Sequence, residues 1–463
     1  MKRLANWRTF NTSSSSSLSE MPLVKSKKAS SKKGESTIIH HPKNANKFQN
    51  FLVPSKFREG EEYVLTHQQR EDHSIYTFRH VIPYIHVYNQ NVENYEGRMI
   101  GKPFREAYCS EYGIDENTFS RMCEMGVITL NHQQITAARK QVQKLREGDS
   151  FQVRDIRMDR PIKHFDQLEI IYENEDFVVV TKPDSVCVHP IRRYHKNSLF
   201  YMMEHEYDEH FGNDLHCKTI HRLDRQTSGV LIIGKTSKGV NLFQKQFKGQ
   251  QMSKQYIAKV HGLIRENSNF EINDPLVCIQ PWDGLYKSIP NREKDLEYRE
   301  LCTKNQIKFD PKPSRTKFQV LLRNEQENTT TLLCTPITGR THQIREHLSG
   351  RGFPIIGEES SKTKLDPEYS EKRIDTGTDI WNYKLDLFEK YGLESPQVAM
   401  QALEDTVYGR SFQIPQDLCL FSFRYKVGPF DFQSALFVPE FLKRDWKEIC
   451  FMLKGGGNNR KRN

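Results

Sequence analysis

The chain has no run approaching the roughly 18 consecutive apolar residues that a bilayer-spanning helix needs, so no membrane partner is expected. Its nine cysteines (Cys109, Cys123, Cys187, Cys217, Cys278, Cys302, Cys334, Cys419 and Cys450) include no C-x-x-C pair, and none stands beside a histidine at zinc-ligand spacing. We therefore expect no metal and no cofactor, and the odd count without a framework suits a reducing compartment. Acid is also short. Lys plus Arg (69) exceed Asp plus Glu (59), which leaves a formal charge of +10 over 463 residues. Such a surplus suits a polyanion, nucleic acid first and a membrane surface second, although basic termini account for part of it.

The most informative stretch is His221-Arg222-Leu223-Asp224-Arg225-Gln226-Thr227-Ser228-Gly229, followed by Val230-Leu231-Ile232-Ile233 and Gly234-Lys235-Thr236. A short apolar run bounded by Gly and polar residues is a buried-strand signature, so Asp224 is expected at the lip of a sheet. Burial would raise the pKa of this acid and the flanking guanidinium groups would lower it. Taken alone, the stretch fits either a structural salt bridge from Asp224 to Arg222 or Arg225 or an ionised nucleophile in a cleft. Gly229 to Thr236 formally matches the phosphate-loop pattern G-x-x-x-x-G-K-T. That loop needs free backbone N–H groups, whereas here the variable positions belong in a strand, which argues against an ATPase; a nucleotide-dependent enzyme using Lys235 would show saturable ATP binding.

Residues 1–75 are expected to be a disordered basic and Ser-rich tail, with Ser13 to Ser17 and the cluster Lys25, Lys27, Lys28, Lys32 and Lys33. The absence of acid up to Ser19 fits a mitochondrial presequence, the lysine cluster equally fits a nuclear patch, and a solvated tail fits both. The location therefore stays open between mitochondrion and cytoplasm or nucleus. In residues 76–160, the run from Arg121 to Asn131 reads as a helix end, a Gly126 cap and a short strand, and Gly148-Asp149 turns into a strand at Phe151-Gln152-Val153. This region is similar to the small RNA-binding domain, first known from a ribosomal protein, that precedes RNA-modifying domains.

A catalytic domain is expected over 161–445. Ile170 to Tyr172 and Phe177 to Lys182 read as strands joined by a polar turn, and Gly239 to Phe247 as an amphipathic helix. Lys254-Gln255-Tyr256-Ile257-Ala258-Lys259-Val260-His261-Gly262 alternates strictly, with Tyr256, Ala258 and Val260 on one face. An inward tyrosine is ordinarily core; if its face lines a cleft it is a platform for a base. Leu332 to Thr335 is a strand, Thr338-Gly339 a turn, and Thr341 onward a helix that carries His342, Arg345, His347 and Leu348. His342 and His347 are five apart, wrong for a helical metal pair. Residues from about 360 to 415 read as an insertion or a partner-binding segment with one helix near Trp381 to Tyr391, strand alternation resumes from Phe421 to Phe437, and 446–463 read as a basic tail.

In this order the three blocks H-R-L-D, K-x-Y-x-A-x-V-x-G and T-G-R-T-H-Q-I-R-x-H-L resemble the RluA-type pseudouridine synthases over roughly residues 165–360. Phe78 to Tyr84 and His189-Pro190 look like the eukaryotic branch that acts on tRNA. The resemblance implies an α+β fold, a mixed and mostly antiparallel sheet with flanking helices and a central basic cleft. It implies an RNA isomerase, working as a monomer on tRNA, that converts uridine to pseudouridine, with an anticodon stem-loop uridine, possibly uridine 32, as the target. By this analogy Asp224 attacks either the uracil ring or the anomeric carbon, and Arg345 pairs with it and keeps it ionised. Tyr256 would stack on the flipped base and assist proton removal, Arg222 would fill the gap in the RNA stack, and Leu348 would pack beneath the base. His221, Arg340 and His342 would add RNA contacts.

Two departures stand out. Glu358-Glu359-Ser360 follows Gly357 where the family carries Asp and, later, Tyr, and Leu420-Phe421-Ser422 replaces Leu-His-Ala. Neither is expected to touch the chemistry. The competing class is a non-catalytic RNA-binding protein or RNA chaperone on the same fold; Asp224, Tyr256 and Arg345 together argue against it.

Overall fold

The computed structural model describes residues 51–55, 62–69, 75–95, 97–135, 141–191, 194–248, 252–265, 268–281, 284–305, 307–358, 378–407 and 417–454. The Ser-rich and lysine-rich segments, Glu359-Ser360, the ends of the insertion and the last nine residues lie outside them.

Runs rich in Val, Ile and Phe, too short for helices and bounded by turns, build one large sheet. Its principal strands are β1 (Phe51–Pro54), β2 (Gln167–Glu173), β3 (Phe177–Lys182), β4 (Ser228–Gly234), β5 (Met252–His261), β6 (Asn269–Ile272), β7 (Thr316–Asn324), β8 (Thr329–Pro336) and β9 (Leu420–Val427). They lie in the order β1-β2-β3-β4-β9-β5-β8-β7-β6, with Lys218–Thr219 beside β4 and Phe430–Gln433 beside β9. Every principal pairing is antiparallel except β4 with β9, which run parallel at Ser228↔Phe421 and Gly229↔Ser422. This is the mixed, mostly antiparallel α+β sheet expected.

Both faces of the central strands are covered, so strand residues of either parity are buried. Tyr256, Ala258 and Val260 join the principal core, whereas Ile257 faces a second one with Leu333, Phe421, Phe423 and Ile449. Ile449 belongs to the helix Trp446–Leu453, so the supposed tail from 446 begins as a structured cover. Trp446, Ile449 and Leu453 recur at helical spacing, and that stripe needs a surface to bury it. The amino-terminal boundary also moves. Phe51–Pro54 takes the sheet edge along β2, and Tyr63–Gln69 pairs with Ile75–Val81, where Val53, Tyr63, Phe78 and Val81 are buried.

A separate core surrounds a four-stranded sheet formed by Tyr84–Asn91, Ser150–Arg157, Ile128–Leu130 and Gln133–Gln134, with helices Phe104–Tyr112 and Glu116–Glu124 against it. Asp115 caps the second of these helices by accepting a 2.7 Å bond from Thr118 N–H. The insertion is not a free appendage. It contributes two helices, α1 (Thr378–Tyr391) and α2 (Pro396–Val407), where one was expected. Ile380, Trp381, Leu385, Phe388, Val398 and Ala402 enter the same core as Phe104, Phe119 and Val153. Lys384 Nζ reaches Asp155 at 2.6 Å, both side chains about nine-tenths buried. Removing one partner of such a pair strands the other charge, so Lys384→Ala should destabilise this core by about 3 kcal/mol in thermal or urea unfolding, whereas Lys384→Ala with Asp155→Ala should recover part of the loss.

Gly229 marks the point where β4 meets β9. Its φ is +113°, and a Cβ there would stand 2.1 Å from the Ser422 carbonyl oxygen. Gly229→Ala should therefore cost more than about 2 kcal/mol, through overpacking and a forbidden backbone conformation together, read as a fall in Tm.

Candidate active site

The site forms where the 221–227 loop enters β4. The chain turns there with Thr227 N–H donating to the Asp224 carbonyl at 3.1 Å. From the end of β3, the wholly buried Lys182 donates its Nζ hydrogens to the carbonyls of Pro183 (2.7 Å), Val186 (2.8 Å) and Arg225 (3.1 Å), which ties the loop down. Burial pushes this ammonium down to about 7.

The third block brings its residues onto the same loop. The helix α3 (Gln343–Gly350, numbered after the insertion helices) starts behind His342, whose φ of 56° is left-handed. That strained cap brings His342 Nε2 to 3.8 Å from Asp224 Oδ1. Arg345 Nη1 donates to Asp224 Oδ2 at 3.3 Å. The Asp224 side chain keeps 22% of its surface and Arg345 only 6%. Burial opposes ionisation of Asp224, but the charges of His342 and Arg345, the Arg345 hydrogen bond and the charge of Arg222 outweigh it, and the carboxyl sits below its ordinary value of 3.8.

Arg345 has a closer partner than Asp224. Its Nε donates to Glu358 Oε2 at 2.6 Å and its Nη2 to Glu358 Oε1, a two-toothed pair. Glu358 is one of the departures expected to leave the chemistry untouched; it instead supports the guanidinium that faces Asp224. The reason is geometric: Gly357, at φ +81°, turns the chain back so that residue 358 lies beside the helix begun at 343. Burial disfavours the charged form of Arg345, and Glu358, Asp224 and Glu346 more than restore it.

Tyr256 stands on β5 with its ring 9% exposed. Its hydroxyl lies 2.7 Å from that of Tyr425 on β9. Burial raises the phenol, hydrogen bonds with Tyr425 and Ser422 lower it, and the charge of Asp224 raises it, leaving it pushed up to about 12. Ser422, the other departure, thus also reaches the site. Only strand alternation marks Tyr425 in the sequence, and the place of both residues at the site depends on which strand lies next to β5.

The remaining expected residues separate. Arg222 is exposed beside Asp224, and Leu348 is buried at 1% exposure in the core behind the site. Arg340 is exposed and donates from Nε to the Pro313 carbonyl at 3.1 Å, away from the carboxylate. His221, expected on the RNA side, is turned inward. Its Nε2 accepts the Ile232 N–H at 3.0 Å and its ring stacks on Tyr425 at 4.9 Å, and burial followed by the charge of Lys254 pushes it down to about 3. Its place in the motif is that of a structural wedge. His347 is fully buried and bonded to Ser314, Thr316 and the Asp274 carbonyl, so it and the cap residue His342 serve different surroundings.

A carboxyl group attacks only in its ionised form, and the lowered pKa of Asp224 keeps it ionised at neutral pH. The acid limb of kcat/KM should lie below pH 3.8. Losing a positive neighbour raises a carboxyl pKa, so His342→Ala should move that limb upward; a pH–rate profile of both forms checks this.

A family model described as RNA pseudouridylate synthase matches residues 176–350. The dual-specificity RNA pseudouridine synthase RluA of Vibrio parahaemolyticus is 33% identical over 208 residues, which cover 44% of this chain and 73% of that protein. RNA pseudouridine synthase 7 of Arabidopsis thaliana is 30% identical over 301 residues, 64% of this chain and 67% of that one. The mitochondrial tRNA pseudouridine(32) synthase of Saccharomyces cerevisiae is 29% identical over 276 residues, 59% and 51% of the two chains.

Proposed function

Since the chain belongs to the RNA pseudouridylate synthase family, and is thereby an isomerase that turns uridine into pseudouridine in RNA, we propose that it acts on tRNA, at a uridine of the anticodon stem-loop such as uridine 32. The name of the yeast relative supports the choice of RNA and position. The +10 charge suits a polyanion of any sequence.

The observation that carries the mechanism is the contact of Asp224 with Arg345 at 3.3 Å, next to Tyr256. The target uridine leaves the stack, because its reacting atoms are hidden in paired RNA. The exposed Arg222 fills the vacated space, and Leu348 forms the apolar floor behind the base. Asp224, held as a carboxylate, attacks the uracil ring or the anomeric carbon. The glycosidic C–N bond breaks, the base turns, C5 bonds to the ribose, and the bond to Asp224 breaks, which returns the free carboxylate. The C5 proton then leaves and the ring nitrogen gains one, with no net redox change. Tyr256, whose phenol titrates far above neutrality, begins protonated; its main work is to stack on the base, and its hydroxyl passes a proton rather than starting as phenolate.

Pseudouridine mapping of total RNA from cells with wild-type protein or Asp224→Ala should show one or a few tRNA sites lost with the variant. Restoration of those sites by Asp224→Ala would remove Asp224 from the role of nucleophile, and loss confined to another RNA would overturn the tRNA assignment.

A further inference from the structure

Lys254 opens the K-x-Y-x-A-x-V-x-G block, and nothing in the mechanism above uses it. It lies two residues before Tyr256 on β5, and successive side chains alternate, so both rise from the same face of the strand. The pairing of β5 with β8 ends at Tyr256↔Cys334, where the β8 chain departs into the turn that leads to His342. Lys254 therefore lies alongside that turn. Its Nζ is 3.2 Å from the point where a Cβ on Gly339 would stand, so the glycine of Thr338-Gly339-Arg340 leaves room for the ammonium. On the other side Lys254 pairs with Tyr425, and its charge depresses His221.

Lys254 is partly buried, and desolvation lowers its pKa. Yet among the described residues neither a carboxylate nor a hydrogen-bond acceptor stands against its ammonium. Neighbouring lysines are matched: Lys259 meets Glu327 at 2.7 Å, Lys235 meets Glu173 at 2.8 Å, and Lys182 holds three carbonyls. A partly desolvated cation without an anion is unfavourable unless a ligand brings one. The ligand of this cleft is a polyanion.

We propose that Lys254 binds a backbone phosphate of the substrate RNA next to the flipped uridine, fixing the strand so that the base lies over Tyr256. The proposal rests on the chain's action on RNA and not on the choice of tRNA. A lysine suits a single phosphodiester, for which a compact ammonium is enough.

The test compares wild type, Lys254→Met and Lys254→Arg. Binding is measured over a salt series with two probes, unfractionated tRNA and a 15-residue oligouridylate, alongside kcat and KM on tRNA and thermal melting. Methionine keeps the stem and removes the charge. The expected result for Lys254→Met is an unchanged Tm, affinity weakened about tenfold for both probes, and a log Kd against log salt slope shallower by about 0.7 to 1, the signature of one lost phosphate contact. KM rises, kcat at saturation stays within about twofold, and Lys254→Arg keeps the wild-type slope. An unchanged slope overturns the proposal, as does a loss confined to kcat, or a lowered Tm for Lys254→Met with binding that arginine does not rescue. If wild type modifies no tRNA, the tRNA assignment falls while the oligouridylate series still decides the role of Lys254.

Discussion

The site depends on keeping one carboxylate ionised where water is scarce. Asp224 is mostly buried, and burial raises its pKa; the charge of His342, the charge and 3.3 Å contact of Arg345 and the charge of Arg222 together outweigh that. A guanidinium buried to 6% exposure in turn carries a desolvation cost that a single looser contact would not offset, and Glu358 meets it with a two-toothed pair. Asp224, Arg345 and Glu358 are thus one electrostatic unit. It is assembled from the loop before β4, from α3 and from the turn after Gly357.

Much of the surrounding architecture keeps these three segments in register. Lys182 ties the 221–227 loop by three carbonyls, and His221 wedges the same loop against Tyr425. Tyr425 holds the hydroxyl of Tyr256, so the Asp224 loop and Tyr256 share a buried contact through β9. The parallel approach of β4 to β9, closed at Gly229, makes that possible. Rigidity of this kind is what a detached base requires, since a misplaced platform would let it escape before it is rejoined.

The second core shows a different economy of chain. Residues inserted after the catalytic helix return to pack with the four-stranded sheet that precedes the catalytic segment, and Lys384 with Asp155 seals the contact. A sequence-distant pair of helices thereby braces the small sheet. The insertion is held by apolar burial and one buried ion pair, with exposed pairs such as Arg121 to Asp386 adding little.

The order of three motifs in the sequence, through the family it resembles, determined the reaction class, and strand alternation and apolar runs, which are local properties, marked the strands of the α+β sheet. Gly126, Gly148 and the apolar run after Gly229 likewise announced their turns and strand. What only the tertiary structure decided are the contacts between distant segments. His221 reads as an RNA contact until β9 supplies Tyr425 to stack on it. Glu358 reads as a departure from a motif until the turn at Gly357 lays it along Arg345. Residues 378–407 read as an appendage until their apolar faces meet helices nearly three hundred residues earlier. Pairings of this sort leave no periodic trace, because a side chain's partner is set by how the chain closes on itself and not by its neighbours in sequence.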